Sequence, residues 1–386
     1  MEIPRKDFNP NSPKHMKLLF ESILGVVSPL NTPKGNPSYG VKAFPHLALL
    51  VEHIPDAKPL MKALEEYSGY SQLHSTFLKP MLDNSWVKDD GTATLHGSYN
   101  LGLVVSGRLS SSEPNLQNLP SKGDLGKIFK SIITAPIGKI MGASDYASLE
   151  ERVNTILTKD PNKRKIYIDG YDGHSYRAYY YFRDQLQHIT EKLANSPESE
   201  HRDIINSIKK SDEGLRDDSK PATFLLQYLG TAYGLRLNCG FSAEKALEVE
   251  RNYHELYKVS DEWLQAKLEE AADKGYAEVA FGLRVHCTAI SKSILNSKYT
   301  PKIVQKHIRT IGNAIGGQSY GQITVDAGMK FLERVYEQGL QDRVQLSMTI
   351  HDALYPIWDD CPEITKWVND NLIECMEDLS ELPELI

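Results

Sequence analysis

Residues 349–358, TIHDALYPIW, decide how the chain must fold. The run from Val344 to Trp358 is largely apolar and rich in strand formers, the composition of a half-buried strand or strand pair. His351 and Asp352 interrupt its middle, where loss of water makes a carboxylate costly unless something pairs with it. A second acid stands at a comparable junction 207 positions earlier. Gly138 to Ser144 reads as a short apolar strand, and Leu149, Val153, Ile156 and Leu157 recur at the spacing of an amphipathic helix, so Asp145 lies between strand and helix. Two strand-bearing blocks, far apart in sequence, thus offer one carboxylate each. A magnesium ion is typically held by one or two carboxylates plus substrate phosphates, and paired ions of this kind serve phosphoryl transfer. For either aspartate taken alone, a turn or a salt bridge is the commoner role.

Between the two blocks the pattern is helical, which makes the fold class α+β. Residues from about 165 to 310 are expected to be mostly helix, with the patterned stretch from Ser242 stopping at Gly275. YAEVAFGLRV (276–285) reads as a strand or tight turn pair, 309–339 as a helix, and a closing helix starts near Pro362. The first hundred residues mix short helical patterns with turn-rich stretches such as NTPKGNPSYG (31–40). Inside the helical insert, RDDSKPATFLLQYLG (216–230) places Arg216, Lys220, Phe224 and Tyr228 four apart, so on one helix they share a face within about 120°. Two cations followed by two aromatics suit a nucleoside triphosphate, phosphates on the cations and base or sugar on the rings. A snorkelling basic pair above two core aromatics fits the same spacing. Pro221 is expected to start the helix near Ser219 or to kink it, which would leave Arg216 just outside.

Composition bounds the rest. The 386 residues, 40% hydrophobic, can bury a substantial core, and the absence of long apolar runs predicts no membrane span. Cys239, Cys287, Cys361 and Cys375 are scattered without a C-x-x-C pair, so neither a disulfide framework nor a zinc site is indicated, and a cytoplasmic, reducing location is expected. A net charge of −7 argues against general nucleic-acid coating. Local basic stretches, KDPNKRK (159–165) and SKYTPKIVQKHIR (297–309), fit either a local footprint or a solvated helix face.

Four ordered motifs carry a resemblance to family A DNA polymerases, the polymerase I class and its phage relatives. SGRLSSSEPNLQNLP (106–120) is very like that family's long T-G-R-L-S-S-x-x-P-N-L-Q-N-I-P signature. SDYASLEERV (144–153) resembles its first palm motif, RDDSKPATFLLQY (216–228) its fingers motif R-x3-K-x3-F-x3-Y, and TIHDALY (349–355) its third motif. DGHSYRAYYYF (172–182) and FNPNSPKHMKLLFESILG (8–25), similar to a segment at the thumb's tip, extend the likeness from Phe8 to the C-terminus. The resemblance implies a right-hand polymerase fold: an antiparallel-sheet palm, a helical fingers insertion and a truncated thumb. It implies residues 1–30 as residual thumb, 31–160 as the leading palm segment with primer–template contacts, 161–305 as fingers and 306–386 as the closing palm segment.

By the same resemblance the chain is expected to add dNTPs to a primer 3′-hydroxyl on template DNA with two Mg2+ ions. Asp145 and Asp352, with the main-chain carbonyl of Tyr146, are the implied metal ligands. Arg216 and Lys220 would meet the triphosphate, His174 the phosphates, Phe224 the sugar side, Tyr228 the templating base, and Glu150 the space over the sugar 2′ position. Arg108, Asn115, Gln117, Arg309, Asn313, Gln318 and His351 would contact primer–template DNA. Ala353 stands where the family usually has Glu, Ser148 at a common Gln, and Leu229 at the glycine after the stacking tyrosine. Gly317 stands where a helical R-x3-N-x3-Q pattern wants Gln, one step before Gln318, which a continuous helix would turn by 100°. A second polypeptide supplying thumb and exonuclease is expected, with weak, distributive extension by this chain alone. The alternatives are a single-subunit RNA polymerase, separable by dNTP against rNTP incorporation, and a non-catalytic DNA-binding subunit, which would not need both aspartates. For a phage-encoded chain the expected location is the host cytoplasm.

Overall fold

The computed structural model describes residues 8–32, 34–120, 123–291, 295 and 300–386, so residues 297–299 of the second basic stretch lie outside the described residues. The chain forms two units, one from the chain up to Ser98 with Ser111–Ile133, the other from Tyr99–Ser110 and Thr134–Ile386. In the first, α1 (Pro13–Lys17) starts with proline at its first turn and Ser12 as cap, the hydroxyl accepting the His15 N–H. Its Met16, with Phe20 just beyond, packs into one core with Phe44 and Leu47 of α2 (Phe44–Val51) and with Met61 and Leu64 of α3 (Ala57–Gln72). A short hairpin, β1 (Ser85–Val87) and β2 (Ala93–Leu95), follows.

The second unit opens with β3 (Lys139–Met141), β4 (Ser144–Asp145) and α4 (Leu149–Thr158). Next come the helices α5 (Pro161–Ile168), α6 (Gly173–Tyr181), α7 (Glu213–Gln227) and α8 (Ala243–Leu256), which with shorter helices between them build a tyrosine-rich core, and then α9 (Lys258–Lys274), whose Leu268 and Ala271 belong to a separate core. Gly275, at φ +77°, stops α9 as its sequence implies, and β5 (Tyr276–Glu278) with β6 (Arg284–His286) forms the expected hairpin. α10 (Lys302–Ile315), α11 (Ile323–Glu337), β7 (Val344–Ile350), β8 (Ala353–Asp359) and α12 (Pro362–Glu377) complete it.

The sheet centres on β8. β7 pairs along one edge, and β3 and β4 pair in succession along the other, all antiparallel. Between β3 and β4 the chain passes Gly142, where a Cβ would lie 2.4 Å from the Trp358 indole, so only glycine lets both short strands reach β8. Leu354, Pro356 and Trp358 point alternately into the core, the period of two that makes a strand one-sided. Leu354 and Trp358 meet Phe331 and Val335 of α11 and Val368 and Leu372 of α12. Each such buried large apolar side chain contributes about 1.5–3 kcal/mol, and together they fix the β7–β8 hairpin on its helical support.

Two expectations are corrected. α7 begins at Glu213 rather than near Ser219, so Arg216 lies within it and Pro221 is inside the helix, where it removes a hydrogen bond without ending the element. The single helix read over 309–339 is two, because Gly317 takes φ +142° and a Cβ there would lie 2.9 Å from the Glu150 carbonyl oxygen. No L side chain fits that conformation or that approach. No helix among the described residues is long and apolar enough to cross a membrane.

Candidate active site

The β7–β8 hairpin is as tight as hairpins become. Ile350 pairs with Ala353, leaving His351 and Asp352 as a two-residue turn with His351 at φ +53°, the left-handed conformation such turns require at their first position. Asp352 is therefore at a hairpin tip rather than inside a strand, half-buried instead of sunk in the core. Pairing of Asp145 with Ala353 brings the two aspartates alongside each other, and the Tyr146 N–H donates to the Asp352 carbonyl at 3.3 Å. Burial raises the pKa of both carboxyls. The Asp352 charge raises Asp145 further, while His351 opposes it. At Asp352 burial is opposed first by Arg108, with Glu150 adding to the rise and His351 lowering it.

Arg108 is the hub of the surrounding charges. Its guanidinium reaches Asp352 Oδ1 at 3.3 Å and pairs with the Glu150 carboxylate, which also accepts from the Tyr228 hydroxyl. Burial first, then Glu150, pushes the Tyr228 phenol well up, so it stays a neutral donor. The neighbouring Gln318 side chain works the other way, lowering the Tyr228 pKa. Helix α10 ends at Ile315, so the side-chain rotation expected for a continuous helix does not apply, and the turn after Gly317 delivers Gln318 to this group. Room for Arg108 comes from two glycines. Gly107, at φ +80°, lies where a Cβ would meet the Gln322 amide at 1.9 Å, and a Cβ on Gly321 would stand 2.9 Å from Arg108 Nε.

The basic-aromatic ladder of α7 divides by use. Arg216 grips Asp172 with two bonds, Nε to Oδ1 at 2.8 Å and an Nη to Oδ2 at 2.9 Å. Asp172 in turn caps α6 by accepting the Ser175 N–H at 2.9 Å. Burial works to raise the Asp172 pKa, but these bonds outweigh it and hold the carboxyl far below the ordinary range. Among the described residues Lys220 pairs only with Asp217, at 2.6 Å on the surface. Phe224 is 59% exposed, its ring centroid 6.4 Å from that of Tyr228. His174 buries an Nδ1 without a partner among the described residues, and burial, then Arg216, lowers its pKa, leaving it neutral near pH 7.

A cleft of about 370 Å³ joins these groups. Arg108, Glu150, His174, Phe224, Tyr228, His351 and Asp352 line it; Asp145, Arg216 and Lys220 do not. Arg309 and Asn313 lie on α10, outside the lining, with Asn313 Oδ1 buried and, among the described residues, unpartnered. Asn115 and Gln117 belong to the other unit, where the Asn115 side chain accepts the Gln117 N–H at 3.1 Å as a turn cap. Among the described residues no three or more His, Cys, Asp or Glu side chains gather as a metal cluster, so the paired aspartates are a two-carboxylate site or none.

The model of DNA polymerase family A matches residues 1–197, over half of the sequence. The chain belongs to DNA polymerase family A. DNA polymerase I of Rhizobium leguminosarum is 26% identical over 348 residues, 90% of this chain and 30% of that protein. The thermostable DNA polymerase I of Thermus aquaticus is 24% identical over 307 residues, 80% of this chain and 33% of that one. The chain thus spans about a third of the length of the curated relatives it matches. In fold it is similar to the polymerase domain of Pol1 from M. smegmatis, solved with DNA primer-template and dNTP, at a TM-score of 0.76 and 22% identity, covering 98% of this chain and 59% of that one. The right-hand fold expected for a family A polymerase is the fold observed.

Six lining residues were given no role at the site by the motif reading, Leu149 of α4 among them. Ser148, Glu151, Arg177, Thr223 and Gln227 also face the cleft. Arg177 is fully buried on α6, pairs with Glu151 of α4 and donates Nε to the Tyr257 hydroxyl at 3.0 Å. The available signal was spacing: Arg177 follows His174 by three, on the same helical face. The departure at Leu229 also finds its reason. It holds φ +57°, ordinarily a glycine conformation, and its side chain fills the space over Gly312 of α10, where a Cβ would lie 2.7 Å from Leu229 Cδ1.

Proposed function

We propose that this chain is a DNA-directed DNA polymerase that adds dNTPs to a primer 3′-hydroxyl, with Asp145 and Asp352 as the ligands of two magnesium ions. The observation that carries the reading is the meeting of the two aspartates, far apart in sequence, where β4 and the β7–β8 turn adjoin β8 beside the Arg108–Glu150–Tyr228 group. Relatives named DNA polymerase I, and a fold neighbour solved with primer-template and dNTP, support it. The donor set fits a hard divalent cation: two carboxylates and, at the junction, the Tyr146 main chain, with each carboxylate's charge destabilised by burial and Asp145's also by its neighbour's charge. When bound, such ions acidify the primer hydroxyl and neutralise the leaving pyrophosphate.

The chain's own residues then divide the remaining work. Lys220 exchanges an exposed, solvent-screened ion pair for the triphosphate. Arg216 stays bidentate on Asp172, because each charge-assisted bond it would give up is worth about 1.5–3 kcal/mol, and offers the other Nη, which lies 3.8 Å from Asp217 Oδ1. Phe224 presents an open ring to the sugar, Tyr228 borders the templating base, and neutral His174 meets a phosphate oxygen. Glu150, held by Arg108 and Tyr228 together, forms a fixed wall over the sugar 2′ position. Arg108 also balances the Asp352 charge before ligands enter. Arg309, Asn313, Gln318, His351 and, in the first unit, Asn115 and Gln117 contact the primer–template. We propose further that the fingers correspond to 161–305, that a second polypeptide adds the grip of a thumb and an exonuclease, and that the enzyme acts in the cytoplasm.

The test is magnesium-dependent primer extension with dNTPs and rNTPs in parallel. The parent chain extends with dNTPs, weakly and distributively, and Asp352→Asn abolishes extension while DNA binding persists. Undiminished extension by Asp352→Asn would remove the assignment of the metal site, and preferential use of rNTPs would replace the activity by RNA synthesis.

A further inference from the structure

β7, the strand that leads into the catalytic turn, has β8 on one edge and no strand on the other among the described residues. Its outward main-chain groups at Thr349 are nevertheless satisfied, and by one atom. The Tyr99 hydroxyl donates to the Thr349 carbonyl at 2.9 Å and accepts the Thr349 N–H at 3.2 Å. A single phenol thus does what a neighbouring strand residue would do, at the position three before Asp352. Burial raises the Tyr99 pKa, so the hydroxyl keeps the proton it needs to donate and accept at once.

The same segment returns to the same hairpin. Arg108, nine positions after Tyr99, reaches Asp352 at 3.3 Å, so residues 99–108 are a strap fastened at both ends to the β7–β8 hairpin. Along it Leu101, Leu103 and Val105 are 76%, 71% and 54% exposed, while Ser106 is buried. The Asp352 carboxylate is carried by a turn of only two residues, and its position is inherited from the stem below.

We infer that Tyr99 is a positioning residue: through its paired bonds to Thr349 it sets the stem of the catalytic hairpin and the strap that brings Arg108 to Asp352. The inference rests on the polymerase reading of this site. Tyr99 touches no reacting group, and its contribution is the angle and height at which Asp352 faces Asp145. Loss of the hydroxyl frees the outer edge of β7 and one end of the strap, while the ring and its packing remain.

Tyr99→Phe is the variant, and three measurements decide. In steady-state primer extension kcat is expected to fall about 10- to 100-fold, as for a small misplacement of a catalytic group. KM for dNTP should stay within about twofold, because α7 is untouched, and the magnesium concentration for half-maximal rate should rise. Hydrogen exchange should quicken across the amides of 349–352 and in the strap near Arg108. A merely structural tyrosine would instead lower the melting temperature, quicken exchange at Thr349 alone, and leave kcat and magnesium dependence at parent values; that result overturns the inference. If the parent chain fails to extend primers at all, the polymerase reading falls, and the exchange pattern still decides whether Tyr99 holds the turn.

Discussion

Lys163 offers the sharpest quantitative test of the joint between α4 and the helical body. It is 3% exposed, its ammonium bound to Asn154 Oδ1 of α4 and 5.0 Å from the centre of the Tyr257 ring. Asn154 passes the contact on, donating Nδ2 to the Gly316 carbonyl at 2.7 Å in the turn that delivers Gln318. Burial lowers the Lys163 pKa from 10.5 to about 8, against the pull of Asp160 and Asp261. Since the unfolded chain binds this proton more tightly than the folded one, the charged lysine costs stability below pH 8, and stability recovers as pH rises from about 8 to 10.5. The full difference corresponds to about 3 kcal/mol, and about 2 kcal/mol of it should return between about pH 7.5 and 9.5.

Lys163→Met removes the charge at similar length. Its absolute effect at neutral pH is mixed, because relief of the buried charge opposes about 1–3 kcal/mol for leaving Asn154 Oδ1 unpaired. The slope is the cleaner quantity. Urea unfolding of parent and variant at several pH values in that window should show the parent gaining about 2 kcal/mol relative to Lys163→Met. The window stops short of the range where the many buried tyrosines ionise, which would lower stability in both chains alike. Parallel curves would show that Lys163 titrates as an exposed lysine does, and the buried polar joint would have to be abandoned.

Other expectations are simpler to state. Gly312→Ala should destabilise the parent by about 1–3 kcal/mol through collision with Leu229 and cost little in a Leu229→Gly background, so chemical denaturation of the two single variants and the double should reveal strong coupling; additive effects would refute the contact. Arg216→Lys should lose the bidentate grip on Asp172 and about 1.5–3 kcal/mol of stability. Because the folded Asp172 pKa is depressed, its contribution is present above the unfolded carboxylate range and vanishes as pH falls through the folded value, so the parent's advantage over Arg216→Lys should shrink on acid titration followed by circular dichroism.

Much was legible without coordinates. The order of the four motifs, the strand-turn-strand around His351, the stop at Gly275 and the amphipathic α4 depend on neighbours two to four residues apart, and backbone geometry converts such spacings directly into faces. Family membership followed from the same local text. The start of α7 and the division of 309–339 did not, because Pro221 is tolerated inside a helix by its surroundings, and Gly317 is needed only where the turn meets the Glu150 backbone.

What tertiary structure alone decided is the partnership of each charge. Arg216 reads as a phosphate ligand from its spacing, yet most of its guanidinium is spent on Asp172, 44 positions away. Arg108 joins Asp352 to Glu150, Arg177 meets Glu151, Lys163 is buried against Asn154, and Tyr99 closes the edge of β7. A long polar side chain can reach many partners, and the one it takes depends on which groups folding has stripped of water nearby, a property of the packed chain and not of residue order. Residue order determined that Asp145 and Asp352 would each stand at the end of a strand; only the pairing of both strands' ends with β8 set them side by side.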